Sequence, residues 1–265
     1  PAELRFFAPS RLTAIRCVAK KRWNCNSPIK RSHLISKFDN MELTAHRYGF
    51  LHGLRVLDLA DEKAGFCTKL LADMGARVIK VEKPGGDASR NRGPFFKDTS
   101  RSKNSIPFFY NNTNKLGITL NPEHNEGKSI FLKLVPNTDV IVETFPPGYL
   151  KRIGLDFKVL KKINPKLILA SVTGFGQNGP RRNCKSCDLV ASAYGGQMFV
   201  SGSPKGPPLK TFGEQSYVAA SLFAASGVLL ALRKRAKTGA GEHIDISLQE
   251  SVTATLEHVM VRYFS

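Results

Sequence analysis

The sequence predicts an α/β fold, a parallel sheet with helices on both faces. Two observations carry this. Short apolar runs alternate with segments of helical period, the pattern of strands joined by crossover helices. The composition is that of a globular chain: of 265 residues, 42% are apolar and 23% charged. That length can bury a sizeable core without disulfides or metals.

The elements follow in order. LRVLDLA (54–60) is a short apolar run, read as a buried strand. Residues 64–74 have helical spacing, and Gly75 stops the helix. RVIKVE (77–82) is a second strand, followed by a KPGGD turn. Residues 122–135 form an amphipathic helix, with Asn121 expected as N-cap and Pro122 as the first helical residue. Strands follow at 139–145 and 165–176. The stretches 84–116 and 174–213, rich in Gly, Pro, Asn and Ser, read as long loops, and such loops are often functional. Residues 215–232 carry no charge. With three serines and a glycine in only 18 residues, they fit a buried small-residue helix better than a membrane span. HIDISL (243–248) alternates like a strand, and 249–264 reads as a final helix. Ligands of such sheets bind at the carboxyl ends of the strands.

Forty basic residues against 21 acidic ones give a net charge of +19. Residues 1–40 contribute +7 of this and look unlike the rest, being basic and acid-poor with no sustained apolar run. They read as an N-terminal extension outside the fold, either a mitochondrial-type presequence or upstream sequence before Met41. Residues 41–265 still carry +12, which suits an anionic partner as well as a plainly basic surface. The five cysteines, at 17, 25, 67, 184 and 187, are few and scattered, so a secreted disulfide scaffold is not expected.

Several chemistries lack their motifs. ADEKAG follows the first strand where a dinucleotide site would carry G-x-G-x-x-G. GKS (127–129) has Pro122 in place of the first P-loop glycine and lies in a helix. There is no G-x-S-x-G, and the six histidines form no H-x-x-x-H pair. Cys184 and Cys187 form a single C-x-x-C with no second ligand pair, so no metal site is expected. No basic stretch interleaves with aromatics, so no nucleic-acid partner is expected. What remains is VIKVEKPGGDASRNRGP (78–94). Amides near Gly85 and Gly86, with Lys83, Arg90 and Arg92, could meet a phosphate. The same residues also suit a basic surface turn. Asp188 and Glu214, near strand ends, are candidate acids, bases or nucleophiles, or ordinary helix N-terminal acids.

At these residues the chain resembles a known family. GLRVLDLA, AGFCTKLLADMGARVIKVEKPGGDASR, NNTNKLGITLN, DVIVETFPPGYLKRIGLD, INPKLILASVTGFGQNGP, DLVASAYGG and LLALRKRAKTGAGEHIDISLQESV follow in unbroken order. Together they resemble the class III coenzyme A transferases of the CaiB/BaiF type, relatives of formyl-CoA transferase and alpha-methylacyl-CoA racemase. The resemblance covers about 50–265 and implies a Rossmann-like large domain. The family's chains continue into a small domain and a C-terminal return, which this sequence does not reach. It further implies acyl-CoA and a small carboxylic acid as substrates, with CoA as a substrate and no permanently bound cofactor. A homodimer is implied, with no membrane partner. The expected location is cytoplasmic, or the mitochondrial matrix if 1–40 is a presequence.

By position, the resemblance assigns Lys83, Arg90, Leu120, Phe145 and Arg152 to CoA binding. Thr144 stands where the family often has Asn. Glu214 stands where transferases carry the Asp that attacks the thioester, and Asp188 takes a supporting role. The implied reaction passes CoA between two acids through enzyme-bound anhydrides on Glu214. Racemases pair a His with that Asp, and the corresponding residue here is Cys187, which argues against racemisation. A CoA-binding protein without catalysis is the remaining rival.

Overall fold

The structure is a computed structural model and describes residues 49–96 and 104–259. Residues 1–40, read as an extension, lie outside the described residues, as does 260–265 at the end of the expected last helix. In chain order come β1 (Arg55–Leu59), α1 (Gly65–Asp73), β2 (Arg77–Glu82), a 3-10 turn (Ala88–Asn91), α2 (Ile106–Asn111), β3 (Leu116–Thr119) and α3 (Asn125–Leu134). Then come β4 (Val140–Glu143), α4 (Tyr149–Arg152), α5 (Phe157–Ile163), β5 (Ile168–Thr173), α6 (Asp188–Tyr194), α7 (Gln215–Thr238), β6 (His243–Ser247) and α8 (Leu248–Thr253).

The strands form one sheet in the order β3-β2-β1-β4-β5-β6, and every pairing is parallel. This is the doubly wound order, with its switch point between β1 and β4. The apolar runs explain it. Consecutive residues of a strand face opposite sides, so a run without polar alternation needs cover on both. Val56, Val140, Val142, Ile168 and Ala170 pack into one core with Leu71 of α1 and Ala220, Ala224 and Val228 of α7. Leu57, Ile79, Ile141 and Leu169 pack into the other with Phe131 of α3 and Leu160 of α5. Each such Val, Leu or Ile contributes about 1.5–3 kcal/mol on full burial. The uncharged helix is therefore a core element on one side, where its Gly227 runs close to Ile244 of β6. Leu222, Phe223 and Leu230 on its other side are exposed.

Local chemistry sets the ends. Gly75 closes α1 at φ +101, and a Cβ there would lie 2.7 Å from the Gly49 Cα. Ser105 caps α2 by accepting from the Phe108 N–H at 3.2 Å. Asp156 caps α5 by accepting from the Val159 N–H at 3.1 Å.

Three expectations change. The helix expected from Pro122 begins at Asn125 instead, with His124 as its N-cap. Asn121 spends its side chain on a local turn, its Oδ1 accepting from the Glu123 N–H at 3.1 Å. The two long loops are not bare: α2 and the start of β3 lie in the first, and α6 in the second. The last helix is interrupted: α8 ends at Thr253, a turn follows, and helix resumes over 257–259.

Candidate active site

A cleft of about 610 Å³ opens at the carboxyl end of the sheet. Leu59 at the end of β1 and Asp61 beyond it, Glu82 at the end of β2 and Lys83 beyond it, Leu120 after β3, Phe145 after β4 and Gly174 after β5 line it. It therefore spans the switch point. There the Thr144 Oγ1 accepts from the Asp61 N–H at 2.9 Å and ties the loops after β1 and β4 together. The loop after β5 folds back over the cleft. Gly174 permits this, because a Cβ there would meet the Ser186 Cβ at 2.3 Å. That brings Arg182, Cys184 and Lys185 into the lining.

Lys83, Phe145 and Arg152 come together around Tyr149. The Phe145 and Tyr149 rings stack with centroids 4.4 Å apart. The Lys83 ammonium and the Arg152 guanidinium lie 5.4 and 5.1 Å from the Tyr149 ring centroid. Glu123 binds the group from outside, accepting from the Tyr149 hydroxyl at 2.6 Å and pairing with Lys83 at 3.1 Å. Sequence reasoning misses Tyr149, for which the close spacing of two aromatics, Phe145 and Tyr149, is the available signal. It also misses Arg182 and Lys185. Neither makes an ion pair among the described residues, and the basic run RRNCK is their signal.

Arg90 sits elsewhere. Its Nε and Nη2 donate to Glu82 at 2.5 and 2.6 Å, and the guanidinium lies 3.8 Å from the Phe108 ring centroid. Burial opposes ionisation of Glu82, yet these hydrogen bonds hold its carboxyl below the usual range. Arg90 thus fixes the turn after β2 and is absent from the cleft lining.

Glu214 lies just outside the first turn of α7, after Gly213 at φ +76. It occupies the N-cap position but makes no capping hydrogen bond. Asp188 supplies that bond instead. Its Oδ1 accepts from the Ser216 N–H at 3.0 Å and from the Ser216 hydroxyl at 2.6 Å. The Asp188 N–H donates to the Tyr217 hydroxyl at 3.1 Å. Lys210 approaches the other carboxylate oxygen at 2.6 Å, off the hydrogen-bonding direction. Asp188 is 5% exposed, so it works as a buried clamp between α6 and α7. The Glu214 carboxylate is left half-exposed and paired with Arg92. Both line a cavity of about 20 Å³, room for one water, which shares Asp61 with the large cleft. Cys187 precedes α6 and is exposed.

Glu143, at the end of β4, is 2% exposed, and burial pushes its carboxyl up to about 7. The Phe145 N–H donates to it at 2.7 Å, and Ser171 hydrogen-bonds it as well. Ser171 in turn lies 2.9 Å from the His243 Nε2. Because the folded value is raised, the native state keeps its proton where the unfolded chain has lost it. This contribution is complete below the ordinary 4.5 and disappears as pH rises through about 7. Its size is on the order of 3 kcal/mol. Urea midpoints at pH 5 and pH 8 should show Glu143→Gln with a flatter pH dependence than the parent. Parallel profiles would exclude Glu143 as the titrating group.

The model of CoA-transferase family III matches residues 51–265. The chain is 42% identical over 217 residues to the beta subunit of succinyl-CoA–L-malate CoA-transferase from Chloroflexus aurantiacus, covering 80% of this chain and 52% of that one. It is 39% identical over 216 residues to acetyl-CoA:oxalate CoA-transferase from Acetobacter aceti, covering 80% and 54%. It thus spans about half the length of these relatives. The crystal structure of a CaiB/BaiF family protein from Brucella suis superposes with a TM-score of 0.77 at 35% identity, covering 82% of this chain and 58% of that one. The doubly wound sheet, the cleft across its switch point and a match over most of the sequence agree: this chain belongs to CoA-transferase family III.

Proposed function

We propose that this chain binds an acyl-CoA in the large cleft and passes the CoA to a second carboxylic acid through Glu214. One observation carries the reading. Glu214 is freed from capping by Asp188 and borders a cavity that shares Asp61 with the cleft. A carboxylate so placed can reach a thioester whose nucleotide end lies along Lys83, Phe145 and Arg152. The names of the relatives, transferases of CoA between succinyl-CoA and malate or acetyl-CoA and oxalate, support the same chemistry.

The steps balance without redox change or net proton transfer. The Glu214 carboxylate attacks the thioester carbonyl, forming an acyl anhydride and releasing CoA thiolate. The thiolate attacks the glutamyl carbonyl, giving a glutamyl-CoA thioester and the donor acid. The acceptor carboxylate attacks that thioester and releases the thiolate again. The thiolate then takes the acceptor's acyl group from the second anhydride and restores Glu214. Water must be kept off both anhydrides, a task that falls to the loop after β5 where it folds over the cleft.

Mass spectrometry of the chain mixed with succinyl-CoA or acetyl-CoA should show a covalent CoA adduct that a carboxylic acid discharges. Binding of CoA should weaken with salt, and dephospho-CoA should bind roughly 10-fold less well, the loss of one charge-assisted contact. CoA binding without an adduct from any acyl-CoA would instead favour the non-catalytic reading.

A further inference from the structure

Arg92 is the one cation in contact with Glu214 among the described residues, and its surroundings give it a second partner. Its Nη2 pairs with the Glu214 Oε1, and its Nη1 lies 3.3 Å from the Glu62 Oε1. The backbone beneath it is clamped. The Arg92 N–H donates to the Ser89 carbonyl at 3.2 Å, and the Arg92 carbonyl accepts from the Ser105 hydroxyl at 2.6 Å. The side chain stays 44% exposed and lines the small cavity with Asp61, Glu62 and Glu214. Arg92 therefore sits on a fixed base with one side held by Glu62 and the other facing the reacting carboxylate.

We propose that Arg92 binds the carboxylate of the free acid while Glu214 is held as its CoA thioester. This deepens the transfer reading and rests on it. In resting protein Glu214 is an anion and occupies the guanidinium. In the glutamyl-CoA thioester that charge is gone, while Glu62 still holds the other edge of the guanidinium in place. The donor acid has just been released at this point, and the acceptor must attack from the same place. A guanidinium fork matches a carboxylate in geometry as well as charge, which an ammonium does not. Arg92 thus hands over from the enzyme's carboxylate to the substrate's, and selects for acids over neutral nucleophiles such as water or alcohols.

The test uses the full chain with succinyl-CoA or acetyl-CoA as donor and a set of carboxylic acids as acceptors. Wild-type adduct formation is measured first. Arg92→Gln should still form the adduct with an unchanged KM for acyl-CoA. Its KM for the acceptor acid should rise roughly 10- to 100-fold, the loss of a charged hydrogen-bonded contact. Arg92→Lys should recover part of this, and hydrolysis of the adduct by water should not slow in either variant. A merely structural role would lower adduct formation and both KM-dependent rates together and would not separate Lys from Gln. An adduct that forms normally in Arg92→Gln and is discharged with the wild-type acceptor KM overturns the role of Arg92 alone. If wild-type protein forms no adduct, the transfer reading fails and the role of Arg92 falls with it.

Discussion

Glu214→Gln is expected to abolish the covalent CoA adduct and reduce transfer by roughly 1,000-fold or more, the scale on which loss of a nucleophile is felt. CoA affinity should stay within about twofold, because the groups proposed to meet its phosphates, Lys83 and Arg152, gather around Tyr149, whereas Glu214 pairs with Arg92. Stability should also hold. Glu214 makes no capping bond to α7, and the Ser216 N–H that needs one is served by Asp188. The same geometry predicts the opposite pattern for Asp188→Ala, which leaves the Ser216 N–H without its acceptor and Lys210 without its ion-pair partner, and should destabilise α6 against α7. Glu214→Asp should retain activity, although the shorter side chain withdraws the reacting oxygen by about 1–1.5 Å, a displacement large enough to alter the rate. Single-turnover assays followed by intact-mass measurement separate these outcomes. A Glu214→Gln variant that transfers CoA at the wild-type rate would move the chemistry to another residue.

Lys115→Met should cost about 3–5 kcal/mol, the penalty for stripping one partner from a buried ion pair. Lys115 is 6% exposed, and its three N–H donors are shared among four acceptors: Asp58 at 2.9 Å, the Gly65 carbonyl at 2.9 Å, the Thr68 hydroxyl at 2.7 Å and the Asn112 Oδ1 at 2.9 Å. Asp58 is fully buried in β1, and also accepts from the Thr68 hydroxyl at 2.8 Å. Burial pushes Lys115 down to about 8, so its charge persists at neutral pH, and Asp58 stays below the usual carboxylate range. These bonds pin the segment carrying α2 to β1 and to the start of α1, directly behind the small cavity. The melting temperature should fall on the order of 10 °C. The double variant Asp58→Leu with Lys115→Met should cost much less than the two single changes added, because it leaves no buried charge unpaired. Additive losses would show that the pair is not coupled.

Much of the fold is legible in the order of residues. Runs such as RVLDL, VIVE and ILASVT read as short strands covered on both faces, and their alternation with helical segments points to a parallel, doubly covered sheet. Gly75 and the uncharged 215–232 stretch mark a helix end and a core helix for equally local reasons. The residues themselves single out Lys83, Asp188 and Glu214, and the resemblance adds Leu120, Phe145 and Arg152 and a role for each, all as separate residues. β3 is not legible, since LGIT is a short, half-buried edge strand with a glycine, and its pairing with β2 supplies what its own residues lack. Nor is the division of labour among the charged groups. Arg90 and Arg92 are two residues apart, yet one is locked to Glu82 and Phe108 and the other reaches Glu214, 122 positions away. Glu214 and Asp188 look interchangeable as helix-start acids until the packing of α6 on α7 sends one to cap Ser216 and leaves the other free. Strands and helices follow from burial pattern and backbone preference, which act over a few neighbouring residues and so can be read along the chain. The pairing of each cation with its carboxylate depends on a few ångströms of separation between segments far apart in that chain, and it is set only when the sheet and its helices pack.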